Sequence, residues 1–199
     1  GRVNVVAALA YGVNDVDPPQ VVITAPKENS MVSGNFSIVA EAIDDVGVKH
    51  VEFYLNGNTP IDIAEESPYT VRWDSRLVAN GSHQLSAIAY DLVDHSTRST
   101  VIHITVDNIP PEISLLAPRL RDKVSGNAVT LEASANDNQS ILKVEFYIND
   151  SIHSTITSSP HKTVFDSTGF EDGVQIIFAK AYDTANNISE TVPIFITVD

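Results

Sequence analysis

Apolar and polar residues alternate with a period of two along much of this chain. Val51, Phe53 and Leu55 fall on one face of a segment, while His50, Glu52 and Tyr54 fall on the other. Further on, Val129, Leu131, Ala133 and Ala135 oppose Thr130, Glu132, Ser134 and Asn136. Successive side chains of a strand leave the pleat in opposite directions, so this pattern predicts strands with one buried face. In the first half, segments of this kind cover 20–24, 36–43, 48–55, 61–64, 69–73, 82–90 and 98–106. Asn56-Gly57 and Asn80-Gly81 supply the positive φ values that tight turns between strands require. Only residues 2–10 carry a spacing compatible with a helix.

The pattern occurs twice. Pro18-Pro19 returns as Pro110-Pro111, an offset of 110 − 18 = 92, and Val32-Ser33-Gly34 returns as Val124-Ser125-Gly126. Val51-Glu52-Phe53-Tyr54 returns as Val144-Glu145-Phe146-Tyr147, now 93 residues on. One residue has therefore been added before that strand, at Asn127-Ala128. One is lost after it, because Trp73-Asp74 matches Phe165-Asp166 and Ala89-Tyr90-Asp91 matches Ala181-Tyr182-Asp183 at 92. A unit of this length exceeds a solenoid repeat or propeller blade and can close its own core. About seven alternating strands in some 90 residues is the pattern of an immunoglobulin-like sandwich. The expectation is an all-β chain of two tandem immunoglobulin-like β-sandwiches, at 18–107 and 108–199, with 1–17 as a tail of a preceding domain plus linker. Trp73 and Phe165 are read as core aromatics, with room left for the ring by Ala87, Ala89, Ala179 and Ala181.

Charge narrows the partners. The 26 acidic residues against 12 basic ones give a net charge of −14. Nucleic-acid affinity comes largely from Lys and Arg displacing counterions, so DNA and RNA are excluded as partners. No apolar run reaches the ~20 residues that cross a bilayer. The chain has no Cys, which removes thiol catalysis, Cys-ligated zinc and disulfides.

Each repeat resembles the bacterial immunoglobulin-like domains found behind the catalytic domains of secreted enzymes. The resemblance rests on Pro-Pro, Val-Ser-Gly, Ala-x-Asp, Val-Glu-Phe-Tyr-x-Asn, Pro-Tyr-x-x-x-Trp-Asp, Asn-Gly-x-His and Ala-x-Ala-x-Asp, from Pro18 to Asp91. The second copy departs at His161 for Tyr, Phe165 for Trp and Asp172 for Asn. Residues 1–11, Gly-Arg-Val-Asn-Val-Val-Ala-Ala-Leu-Ala-Tyr, look like the closing helix of a subtilisin-like serine protease domain. The resemblance implies an extracellular, monomeric accessory module with a preceding catalytic domain as its covalent partner.

The chain itself shows no catalytic constellation. It has no Gly-x-Ser-x-Gly elbow and none of the Asp, His and Ser signatures of a subtilisin-like domain. Asp166-Ser167-Thr168-Gly169 aligns with Asp74-Ser75-Arg76-Leu77 and reads as a turn after a strand. The six His lack metal-binding spacing. His83 is expected to bond backbone at a sandwich corner, and His50, His95, His103, His153 and His161 to lie on the surface.

Two binding readings stand beside these. In an immunoglobulin topology the chain entry and the loops after the second and sixth strands share one end. That end gathers Asp107, Asn108, Asp137, Asn138 and Asp183 in the second copy, and Asp17, Asp44, Asp45 and Asp91 in the first. Converging hard oxygen ligands suit calcium. Asp at strand ends also caps turns through its own side chain, which is the alternative for each of these residues. Tyr54 and Tyr147, expected to face outward, are candidates for stacking on a polysaccharide or protein polymer.

Overall fold

A computed structural model describes residues 15–199. The helical reading of 2–10 and the protease-like stretch 1–11 lie outside the described residues. The chain divides into two units, Gly1–Asp107 and Asn108–Asp199.

The first unit contains β1 (Gln20–Ala25), β2 (Ser30–Val32), β3 (Asn35–Ile43), β4 (Val48–Leu55), β5 (Thr59–Ala64), β6 (Tyr69–Asp74), β7 (Gly81–Asp91), β8 (Ser96–Arg98) and β9 (Ile102–Val106). One sheet runs β1-β3-β6, and the facing one β2-β9-β7-β4-β5 with β8 also on β7. The second unit repeats the plan. Its strands are β10 (Glu112–Ala117), β11 (Lys123–Val124), β12 (Val129–Asn136), β13 (Ile141–Ile148), β14 (Ser151–Ile156), β15 (His161–Phe165), β16 (Gly173–Asp183), β17 (Ile188–Glu190) and β18 (Ile194–Val198). They form the sheets β10-β12-β15 and β11-β18-β16-β13-β14, with β17 on β16. The fold is all-β, two immunoglobulin-like sandwiches in tandem.

Alternation translates directly into packing. Val51, Phe53 and Leu55 are buried on β4, and their register partners on β7 are Ala89, Ala87 and Leu85. The small partners are fully buried and leave volume for the rings of the opposite sheet. Trp73 is buried and meets Phe36 edge-on, with centroids 5.4 Å apart and planes at 80°. Phe165 takes the equivalent place and meets Phe170 at 5.7 Å and 85°. Both arrangements suit the ring quadrupoles.

Two details depart from the expected strands. The single strand expected at 98–106 is two, β8 and β9. Between them Ser99 clips the chain to β7: its hydroxyl accepts from the Ala87 N–H at 3.0 Å, and its own N–H donates to the Ala87 carbonyl at 2.8 Å. Thr191 makes the same pair of bonds to Ala179. β2 and β11 are too short to show a period, and each is a parallel add-on to the last strand of its unit.

The two offsets also have places in the fold. Ser75 and Ser167 donate their N–H groups to the carbonyls of Gly34 and Gly126 at 2.9 Å, 92 residues apart. Phe36 and Val129 pair with Trp73 and Phe165, so the added residue lies between Gly126 and Val129. The lost residue lies in the next hairpin, where Asn56-Gly57-Asn58 joins β4 to β5 and Asn149-Asp150 joins β13 to β14. Asn149 and Asp150 both have positive φ, 50° and 64°, as a two-residue hairpin turn demands.

Candidate functional site

The acidic residues at the entry end of the first unit are placed by the loops that the strands leave there. Asp91 closes β7 and is fully buried. Its Oδ1 accepts from the backbone N–H groups of Val93 at 2.9 Å and His95 at 2.8 Å, and its Oδ2 meets His95 Nδ1 at 2.9 Å. Asp44 opens the loop between β3 and β4. Its Oδ2 accepts from the N–H groups of Val46 at 3.0 Å and Gly47 at 2.8 Å. Both residues thus do what Asp does at a strand end, holding a turn with a carboxylate oxygen. For Asp44 that explanation covers only one oxygen, since its buried Oδ1 has no partner.

Asp15 has no such explanation. It precedes β1 and is 8% exposed, and neither of its carboxylate oxygens has a hydrogen-bond partner. It can offer an oxygen within 4.8 Å of oxygens from Asp44 and Asp45, and likewise within 4.8 Å of ligand atoms from Asp91 and His95. Burial raises its pKa above the ordinary carboxylate value, and the charges of Asp44, Asp91 and Asp45 raise it further, with His95 opposing them. Asp17, expected at this place, is exposed instead. It borders an open depression of about 520 Å³ with Pro18, Gln20, Ile43, Asp44 and Asp45. Asp15 was legible all the same, because the offset of 92 carries Asp107 back to residue 15 and not to 17.

In the second unit Asp183 reproduces the holding pattern of Asp91. Its Oδ1 accepts from the N–H groups of Ala185 and Asn187 at 2.8 Å, and its Oδ2 from the Asn187 side-chain amide at 2.7 Å. Asp137 uses Oδ2 to hold the Gln139 N–H at 2.8 Å and has no partner for its buried Oδ1. Asn108 and Asn138 lie at the same end in sequence terms, half-buried and exposed respectively. Asp107, at the close of the first unit, is fully buried and donates its N–H to the Val32 carbonyl at 3.0 Å.

The candidate stacking tyrosines are half-buried and engaged within their own units. Tyr54 donates to Glu52 and carries the Arg98 guanidinium 5.2 Å from its ring centroid. Tyr147 stacks on Phe178 at 4.6 Å and 8°, with Lys180 Nζ 5.2 Å from its centroid. Its hydroxyl and that of Tyr182 both donate to Glu145 Oε2, at 2.8 and 2.9 Å, while Lys143 donates to Oε1 at 2.6 Å. Burial pushes the Glu145 pKa up, but these three bonds outweigh it and hold the carboxylate ionised below its ordinary value.

Histidine placement is partly as expected. His83 Nε2 meets the Ala79 carbonyl at 2.8 Å, a bond to backbone beside the turn that opens β7. His161 is not on the surface. It is 6% exposed, in the core position that Tyr69 fills in the first unit, and burial lowers its pKa. The Asp166 carboxylate caps the short 3-10 turn Ser167–Gly169, accepting from the Thr168 N–H at 2.9 Å, as Asp74 does for Arg76 at 3.0 Å.

The family model for the bacterial Ig domain matches residues 19–87 and again 111–179, one match in each sandwich. The chain belongs to the bacterial Ig domain family. Domains of this family are generally non-catalytic. No curated protein matches the chain. Among solved structures, the fibronectin(III)-like modules of Clostridium thermocellum CbhA are 24% identical with a TM-score of 0.65, covering 90% of this chain and 93% of that one. The FN1-FN3 domains of chicken CNTN1 are 10% identical with a TM-score of 0.54, covering 91% of this chain and 68% of that one. Identities this low speak to the fold, an immunoglobulin and fibronectin type III-like sandwich. Among the described residues no helix is long and apolar enough to cross a membrane.

Proposed function

We propose that this pair of bacterial Ig domains is a non-catalytic accessory module of a secreted enzyme, spacing or anchoring a catalytic domain in the same protein. The observation that carries this reading is the duplicated bacterial Ig domain itself, two sandwiches that each close a core of their own. Asp166 and Ser167 serve a turn, and Glu145 sits in a satisfied hydrogen-bond network, so the groups that could suggest hydrolysis have structural work. A net charge of −14 supports a soluble spacer that avoids nucleic acids and anionic membranes.

The catalytic partner we infer is a subtilisin-like serine protease, on the resemblance of Gly1–Tyr11 to the end of such a domain. A Gly-Thr-Ser signature a few tens of residues before Gly1 in the full protein supports that parent, and its absence removes it. The accessory role is tested by deleting residues 18–199 from the parent enzyme. Turnover of a small soluble substrate should stay within about twofold, while activity on an insoluble substrate or attachment to the cell surface falls. Equal loss on both substrates would make the module part of the catalytic fold instead.

A further inference from the structure

We propose that the first sandwich binds one calcium ion at its entry end, on the carboxylates of Asp15, Asp44 and Asp45, with Asp91 and His95 completing the wall behind Asp15. The ion would tie the segment entering the module to the loop between β3 and β4. This does not rest on the accessory reading.

Three observations converge on this site. First, Asp15 is more than nine-tenths buried, and both of its oxygens lack a partner. A buried carboxylate without a partner is strongly unfavourable, and proteins tolerate one where it is paired or ligates a metal. The Asp44 Oδ1 is in the same condition. Second, the spacing fits. Donor oxygens about 2.4 Å from a shared calcium ion stand at most about 4.8 Å apart, and those of Asp15, Asp44 and Asp45 lie within 4.8 Å of one another. Opposite charge is scarce there: Asp44, Asp45 and Asp91 all act on Asp15, and His95 is the one opposing group among those that act on it. Lys49, the nearby cation in sequence, is spent on Asp94 at 2.6 Å.

Third, the duplication keeps the donor set. At the repeat offsets Asp15, Asp44, Asp45, Asp91 and His95 correspond to Asp107, Asp137, Asn138, Asp183 and Asn187. Every position holds an oxygen donor in the second copy, and the one imidazole becomes an amide. Side-chain oxygens recur at four of the five places. Turn-holding bonds account for Asp44 with Asp137 and for Asp91 with Asp183, whereas the recurrence of Asp15 as Asp107 and of Asp45 as Asn138 has no such turn bond behind it in the first copy. Exchange of His for Asn also fits a hard cation better than zinc, which favours nitrogen and sulfur ligands.

Trp73 is the one Trp of the chain and belongs to the first core, so its fluorescence reports this module alone. In the 199-residue chain, millimolar CaCl2 against EDTA should raise the melting temperature read at Trp73, and the same concentration of MgCl2 should raise it less. Asp15→Asn should weaken calcium binding at least tenfold by titration calorimetry and abolish the rise. Because it also removes buried like-charge repulsion, Asp15→Asn should melt no lower than wild type in EDTA. Asp17→Asn, at the exposed rim, should leave binding within about twofold. The proposal is overturned if wild type gives no calcium-dependent shift, or if Asp15→Asn lowers the melting temperature equally with and without calcium. A response to ZnCl2 exceeding that to CaCl2 would overturn the assignment to an oxygen-ligated ion.

Discussion

Single positions decide how each core is filled. Trp73 meets Phe36, its cross-strand partner on β3 of the same sheet, and belongs to the buried cluster that also holds Ala87 and Ala89 of the other sheet, so its loss leaves a cavity that a β-sandwich collapses poorly. Trp73→Ala should cost ~3–5 kcal/mol, read as a lower urea midpoint in far-UV circular dichroism. His161 makes the second module pH-sensitive. Burial holds its pKa below the ordinary 6.5, so the unfolded chain binds more protons between the two values and stability rises with pH across that interval. The second module should be at full stability above about pH 6.5 and lose it as pH falls below. His161→Tyr, copying Tyr69, should flatten that dependence in melts run from pH 8 to 5. A slope that survives the substitution would assign the dependence to another group.

At the scale of elements, strand pairs are locked where the ladder would otherwise fail. Ser99 and Thr191 stand at the break before the last strand, and each offers a hydroxyl to a buried N–H of the long central strand. Thr191→Val keeps the shape and strands the Ala179 N–H, which should cost about 1–3 kcal/mol in chemical denaturation. Thr191→Ser should cost less, because its hydroxyl keeps the bond. Strand interiors were readable because burial of one face imposes a period of two. The break at Ser99–Val101 was not, because Ser-Thr-Val fits a strand as well as it fits the crossing that replaces one. β2 and β11 escaped notice because two or three residues cannot display a period.

For the whole molecule the two units are the functional grain. Each has a closed hydrophobic cluster, with Phe53, Leu85 and Ile104 central to one and Phe146, Ile177 and Ile196 to the other. Residues 15–107 and 108–199, made separately, should each melt in one cooperative transition, checked by agreement of calorimetric and van't Hoff enthalpies. Phe165→Ala should lower the midpoint of the isolated second unit by the equivalent of ~3–5 kcal/mol. A broad, non-cooperative melt of either unit would mean that its core is not self-sufficient.

The residues alone determined the duplication, the strand period and the aromatic at the heart of each sandwich. These follow from local alternation and from a fixed offset along the chain, and neither needs coordinates. They also marked the entry end as rich in carboxylates. What they could not separate was a carboxylate holding its own turn from one left bare. Asp44, Asp91 and Asp183 look alike in sequence, and hydrogen bonds to loop amides set their roles. Burial of Asp15, and of His161 in a tyrosine's place, depends on which residues from distant strands close over them. That is a property of packing in three dimensions, and only the tertiary structure decided it.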